Sequence, residues 1–168
     1  MHFFSLLTVA TGLLGQAVTG AAQSLKDNPV PPGVQFLFSG NISVGLPVDI
    51  GAVPAGNVTV IPVIGGAVSG PKIAGKMLAL GADWSLSTQN GYSYSDMRAH
   101  IRAMDNSNIY LQMSGVMQGA NGIILVRGTF QTGSKDFWWM NYAFAFGVMK
   151  PSPTGFTVDM WHMTYGMQ

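Results

Sequence analysis

Ser93-Tyr94-Ser95-Asp96-Met97-Arg98-Ala99-His100-Ile101-Arg102-Ala103-Met104 alternates more cleanly than any other stretch of the chain. On an extended strand Met97, Ala99, Ile101 and Ala103 share one face, and Asp96, Arg98, His100 and Arg102 share the other. Successive strand side chains point to opposite sides, so this period of two predicts a strand over 93–104. Just upstream, Thr88-Gln89-Asn90-Gly91 carries an Asn-Gly pair, whose tolerance of positive φ suits a tight hairpin. Just downstream, Asp105-Asn106-Ser107-Asn108 is a polar turn. Ile109 to Gln118 then alternates again, with Tyr110, Gln112 and Ser114 against Ile109, Leu111 and Met113. Strand, tight turn, strand is the signature of an antiparallel meander.

The same pattern extends both ways. Towards the N-terminus the spacing predicts strands over 34–44, 57–69, 73–80 and 83–87. Pro62 marks an edge or a bulge, because proline cannot donate to a ladder, and Gly65-Gly66 breaks the second of these strands in two. Residues 46–56, with their prolines and glycines around Asp49, read as a loop. Towards the C-terminus strands are expected over 123–132, over a long apolar stretch 137–149, and over 156–165 after a Pro-Gly turn. About eight to nine short strands with short connections predict one all-β domain, a single antiparallel β-barrel, with a two-sheet sandwich as the alternative. Closure removes the unpaired edges of an open sheet. A barrel of about eight strands is just wide enough to be filled by side chains or to hold one small ligand.

Composition narrows the function. The 168 residues suit one domain. Only 9% are charged and the formal charge is +1, too little for an electrostatic claim on nucleic acid. The chain has no Glu and no Cys, so acid chemistry rests on Asp alone, and stability must come from packing and closure. With three His and no Cys, no metal cluster and no cofactor motif is visible; there is no Gly-x-Ser-x-Gly elbow and no phosphate-binding glycine loop. Phe3 to Leu14 has the length of a signal-peptide core and precedes small residues. Residues 1–20 are therefore expected to be a leader, with 21–168 as the barrel domain, Ser24 to Gly33 being its lead-in. The run is too short to span a bilayer, and every later apolar run is interrupted, so no stable membrane insertion is expected. Two N-glycosylation sequons, at Asn41 and Asn57, fit the same secretory, extracellular route and fall near predicted turns.

Which face looks inward stays open. If 137–147 is one strand, Trp138, Met140, Tyr142, Phe144 and Phe146 form a bulky face and Trp139, Asn141, Ala143, Ala145 and Gly147 a slim one. Either the bulky face fills the core, or the slim face lines a hollow with Trp139 and Asn141 at its wall. The second arrangement leaves the bulky face in need of cover from another segment or from a second copy in a homo-oligomer. Asp96, Arg98 and His100 likewise fit a solvated outer face or a polar strip inside a lumen, where an Asp and an Arg would have to pair. Trp161, on a face with Asp159 and Tyr165, suits either core or pocket wall.

Gly81-Ala82-Asp83-Trp84, Asp96-x-Arg98, Ile109-Tyr110 with Gly115, Phe130-x-Thr132 and Trp139-Met140-Asn141 follow one another in an order and spacing that resemble domain-of-unknown-function family 3237. The resemblance spans about Val34 to Tyr165. It implies a small antiparallel β-barrel, with Asp83, Trp84, Asp96, Arg98, Trp139 and Asn141 at the family's recurring positions. His100 departs from the family, which often has an aromatic or hydrophobic residue there. The leader, sequons and barrel together are also similar to secreted fungal members of the hetero-Diels–Alderase type, which act in terpenoid and tropolone secondary metabolism. That likeness implies a cofactor-independent [4+2] cycloaddition on a hydrophobic small-molecule substrate. Asp83, Asp96, Arg98 and His100 would then supply hydrogen bonds and protons, and Trp84, Tyr110, Trp139, Asn141 and Trp161 would contact substrate. Positioning two partners can by itself supply about 7–11 kcal/mol in favourable systems. A non-catalytic carrier of a hydrophobic metabolite, or a surface glycoprotein without a pocket, are the competing expectations.

Overall fold

The computed structural model describes residues 30–165. The expected leader, 1–20, lies outside them. Ten strands follow in order: β1 Gly33–Val44, β2 Val48–Val53, β3 Gly56–Ser69, β4 Gly75–Met77, β5 Ala82–Ser87, β6 Ser93–Ala103, β7 Asn108–Gln118, β8 Ile123–Thr132, β9 Ala145–Ser152 and β10 Gly155–Thr164. One turn of 3-10 helix, Gly119–Asn121, joins β7 to β8, and another, Trp138–Tyr142, lies between β8 and β9.

All pairings are antiparallel. The sheet runs β1-β10-β9-β8-β7-β6; β4 and β5 each bridge β6 to β3, and β3 pairs with β1 to close the ring. Residues 33–164 thus form a closed barrel, with β2 paired to the first part of β3. The meander from β5 to β10 follows from alternation and short turns, the Asn90-Gly91 hairpin between β5 and β6 first among them; the one longer connection, 133–144 between β8 and β9, carries the helical turn.

The centre is solid. Met97, Ala99 and Ile101 from β6, Ile109, Leu111 and Met113 from β7, and Met149, Val158 and Met160 from the closing strands are fully or almost fully buried. Phe38, Ile42, Val126, Phe130 and Met140 pack into the same core. Methionine suits this role because its unbranched, flexible chain fills irregular space between less adaptable neighbours. The strip Asp96, Arg98, His100 consequently faces outward, so the lumen arrangement is excluded by an apolar core already occupying that space.

Three sequence expectations need correction. Residues 48–53 are a strand, not a loop: β2 folds back on β3 with a register irregularity between Asp49 and Gly51, where Gly51 takes φ 91°. Gly65 and Gly66 do not break β3; a Cβ on Gly66 would strike the Asn41 carbonyl, so glycine is what lets β1 approach. Finally, 137–149 is not one strand. Trp138–Tyr142 is helical, and only Ala145 onwards is extended, with Ala145, Gly147 and Met149 turned inward. A period-two division into bulky and slim faces therefore does not apply to 137–144.

Candidate functional site on the outer barrel wall

The outward residues of β6, β7 and β8 form three aligned rows. Asp96 lies beside Ser114 and Arg127, Arg98 beside Gln112 and Thr129, and His100 beside Tyr110 and Gln131. The Asp96 carboxylate is held from two sides: Gln112 Nε2 donates to Oδ1 at 2.9 Å, and Arg98 Nη2 donates to Oδ2 at 3.0 Å. The Arg98 guanidinium in turn sits 5.1 Å from the Trp84 ring centroid, a cation–π distance. With both partners of the ion pair more than a third exposed (45% and 37%), the pair adds little stability, on the order of 0–1 kcal/mol. Its effect is to orient a carboxylate and a guanidinium side by side at the surface. The His100 ring lies 5.4 Å from that of Tyr110, tilted by 58°, and its Nδ1 lies 3.2 Å from the Leu80 carbonyl oxygen. A carbonyl only accepts, so Nδ1 carries the proton.

Two hollows lie along these rows. The first, about 330 Å³, is lined by Gln112, Ser114, Arg127 and Thr129 on the sheet and walled by Ala143 and Phe144. The second, about 500 Å³ and wider open, is lined by His100, Tyr110, Gln131 and Asn141 among others. The apolar wall exists because Asn141 pins the helical turn to the end of β8. Its Oδ1 accepts from the Thr132 amide, and its Nδ2 donates to the Thr132 and Trp138 carbonyls, each at 3.0 Å. Asn141 is therefore a structural anchor at the rim of the site.

Six of the residues expected from the sequence meet here: Trp84, Asp96, Arg98, His100, Tyr110 and Asn141. The others do not. Asp83 is buried behind the strip, accepting from Ser95 Oγ at 3.0 Å and from the Asp96 amide at 2.9 Å. Burial pushes its carboxyl above the ordinary range, against the lowering effect of those two bonds, and the nearby Asp96 charge adds to the rise. Trp139 sits at one mouth of the barrel, 5.5 Å from the His162 ring, and is separated from Asn141 by the helical geometry that a strand assignment missed. Trp161 lies between Phe36 and Phe146, at 5.6 and 6.3 Å, in an aromatic cluster of β1, β10 and β9 that flanks the polar rows beyond Arg127, whose cross-strand neighbour is Phe146. The sequon residues are exposed but on strands: Asn41 lies mid-β1 with Oδ1 accepting from the Ala67 amide at 2.9 Å, and Asn57 is the second residue of β3, with Nδ2 3.3 Å from Asp49 Oδ1.

Gln112, Arg127 and Phe144 were not singled out from the sequence. Gln112 and Arg127 carried a usable signal, since both lie on strand faces whose alternation was legible. Phe144 carried none, because its position depends on the helical turn.

Residues 32–163 match the protein family described as "Protein of unknown function (DUF3237)". The chain belongs to this family. It is similar to the hydroalkoxylation enzyme phnH of Penicillium herquei, with 28% identity over 127 residues that cover 76% of this chain and 80% of that protein. The crystal structure of an enzyme from Penicillium herquei superimposes with a TM-score of 0.68 at 25% identity, covering 83% of this chain and 99% of the other. A β-barrel-like protein from Acinetobacter baumannii AYE shares the fold, with a TM-score of 0.72 at 24% identity over 82% of this chain and all of its own.

Proposed function

We propose that this protein is a cofactor-independent enzyme of fungal secondary metabolism, acting on an apolar, oxygen-bearing small molecule in an outer trough, the first hollow together with the Asp96 and Arg98 side chains beside it. The reaction is a ring-closing addition of a hydroxyl group across the double bond of an enone. One observation carries this: Asp96 is clamped between Arg98 and Gln112, and Gln112 is itself a wall of a hollow that also presents Arg127 and Phe144. A hollow with an apolar wall and a few fixed polar groups is the usual form of a small-molecule site. The hydroxyl oxygen attacks the polarised carbon, its proton passes to the Asp96 carboxylate, and Arg127 or Arg98 stabilises the developing enolate oxygen. The enolate carbon takes a proton from solvent in the open trough, and Asp96 returns its proton to solvent. Atoms, charge and oxidation state balance without a co-reactant. The similarity to a hydroalkoxylation enzyme supports this class of reaction.

Hetero-[4+2] cycloaddition at the same trough is the second reading. It is favoured by the Gln112 and Arg127 donors sharing one hollow with Phe144, a pairing suited to polarising a heterodiene beside an apolar side chain. The two reactions part in deuterium oxide: addition of a hydroxyl places one solvent-derived hydrogen on carbon, and cycloaddition places none. In the same proposal the protein travels the secretory route, which the expected leader and the two sequons support, and binds neither nucleic acid nor membrane. The test is turnover of hydroxy-enones by purified protein without additives, compared with Asp96→Asn and Arg98→Ala. Loss of a proton acceptor or donor at the reacting centre lowers turnover by about 10²–10⁴-fold. Full activity in both variants overturns the assignment, and ligand binding without turnover in the unaltered protein points to a carrier.

A further inference from the structure

His162 belongs to neither the core nor the trough. It continues the inward parity of Val158 and Met160 on β10, but it lies where the barrel opens. There it meets a separate hollow of about 300 Å³ lined by Gln35, Pro71, Lys72, Asp136, Phe137 and Trp139. The His162 Nε2 stands 3.0 Å from the Gln35 amide oxygen, which accepts, so Nε2 carries the proton. Nδ1 is then the lone-pair nitrogen of the neutral ring, and no side chain or backbone group among the described residues bonds to it. Burial, with the Lys72 charge as a smaller contribution, holds the imidazole below its ordinary range and so keeps it neutral near pH 7. The Trp139 ring lies 5.5 Å from the imidazole at 47°, and Phe137 packs against the core beside it. The charges at this mouth are Lys72 and Asp136, one of each sign.

We propose that this mouth is a second small-molecule site, distinct from the outer trough, that takes a planar aromatic ring bearing an acidic hydroxyl. The ring lies against Trp139 and Phe137, where aromatic faces favour offset stacking. The hydroxyl donates to His162 Nδ1, and full transfer of its proton leaves an imidazolium and a phenolate, with the Lys72 ammonium at hand to compensate the oxyanion. Lys72 selects for an acidic hydroxyl over a neutral alcohol, and Asp136 disfavours a ligand already carrying a full negative charge. The volume accommodates one or two fused rings, not a macromolecule.

The experiment uses the whole protein and 4-nitrophenol, whose ionised and neutral forms absorb differently. Three readouts are combined: its absorbance, its Kd from tryptophan quenching, and the imidazole resonances of His162 and His100 in one NMR titration. Saturable binding that shifts the His162 ring signals and leaves those of His100 in place supports the site. His162→Gln should weaken binding at least tenfold, and Lys72→Ala should reduce the ionised fraction of bound probe. Asp96→Asn, which disables the trough, should leave this binding unchanged, so the two sites fail separately. Nitrobenzene, which lacks the hydroxyl, should bind at least tenfold more weakly. No shift at His162 in the unaltered protein, or equal affinity for nitrobenzene, overturns the proposal.

Discussion

A filled barrel interior makes a definite demand on Met160 and Gly128. Met160 is fully buried, and a Cβ placed on Gly128 would stand 2.5 Å from its terminal methyl carbon. Met160→Ala removes that packing and leaves a void; changes of this kind cost about 2–5 kcal/mol. Gly128→Ala pushes a methyl into occupied space and costs about 1–3 kcal/mol from overpacking, partly offset by the lower backbone entropy of Ala in a strand. Gly128 does not use positive φ, so its backbone accepts Ala once the space is free. In the double variant the new methyl occupies room that Met160 has vacated. The two effects should therefore fall short of their sum by about 1–3 kcal/mol, a coupling in the range seen for residues in contact. Urea unfolding of the four proteins in the cycle, with the slope checked for constancy, measures this directly. Additivity to within about 0.5 kcal/mol would falsify the packing argument, since Met160 would then not fill the space inside β8.

Other outcomes follow from named contacts. Because burial raises the Asp83 carboxyl above its ordinary value of 3.8, the folded state holds that proton more tightly than the unfolded chain does. Stability is then greatest below the unfolded carboxylate range and declines as pH rises through the native pKa. Asp83→Asn keeps the acceptor for Ser95 and the Asp96 amide, so chemical denaturation across pH should show a flatter profile and a gain above about pH 4; an unchanged slope refutes this. Asn141→Ala leaves the Thr132 amide and two carbonyls without their partner and should cost about 1–3 kcal/mol. It should also loosen the Phe144 wall of the trough, which reduced ligand affinity there would report. On the proposed secretory route, replacing both sequon asparagines with Gln should raise aggregation of a chain with only 9% charged residues, measured by light scattering. Of the two, Asn41→Gln should also lower stability, because its side-chain oxygen serves the Ala67 amide.

The outer site was partly legible. Asp96, Arg98 and His100 on β6 and Tyr110 on β7 could be grouped by parity alone, since a strand has a side-chain period of two whatever surrounds it. Trp84 could be placed near them because the Asn90-Gly91 hairpin folds β5 onto β6. Trp139 and Asn141 could not be separated, as apolar residues at every position of 137–140 erase the contrast on which a period depends. Nothing in the sequence marks His162, because strand parity does not reveal where a strand leaves the core and reaches a rim.

The amino-acid order alone determined an all-β antiparallel meander, with a barrel expected ahead of a sandwich, most of its strands and hairpins, and which side chains travel together on a face, because these follow from local periodicity and turn chemistry. Only the tertiary structure decided which face became the interior and where 137–144 turned helical. Those outcomes depend on how methionines and aromatics from distant strands fill one shared volume, and on three hydrogen bonds from Asn141 that no local pattern announces.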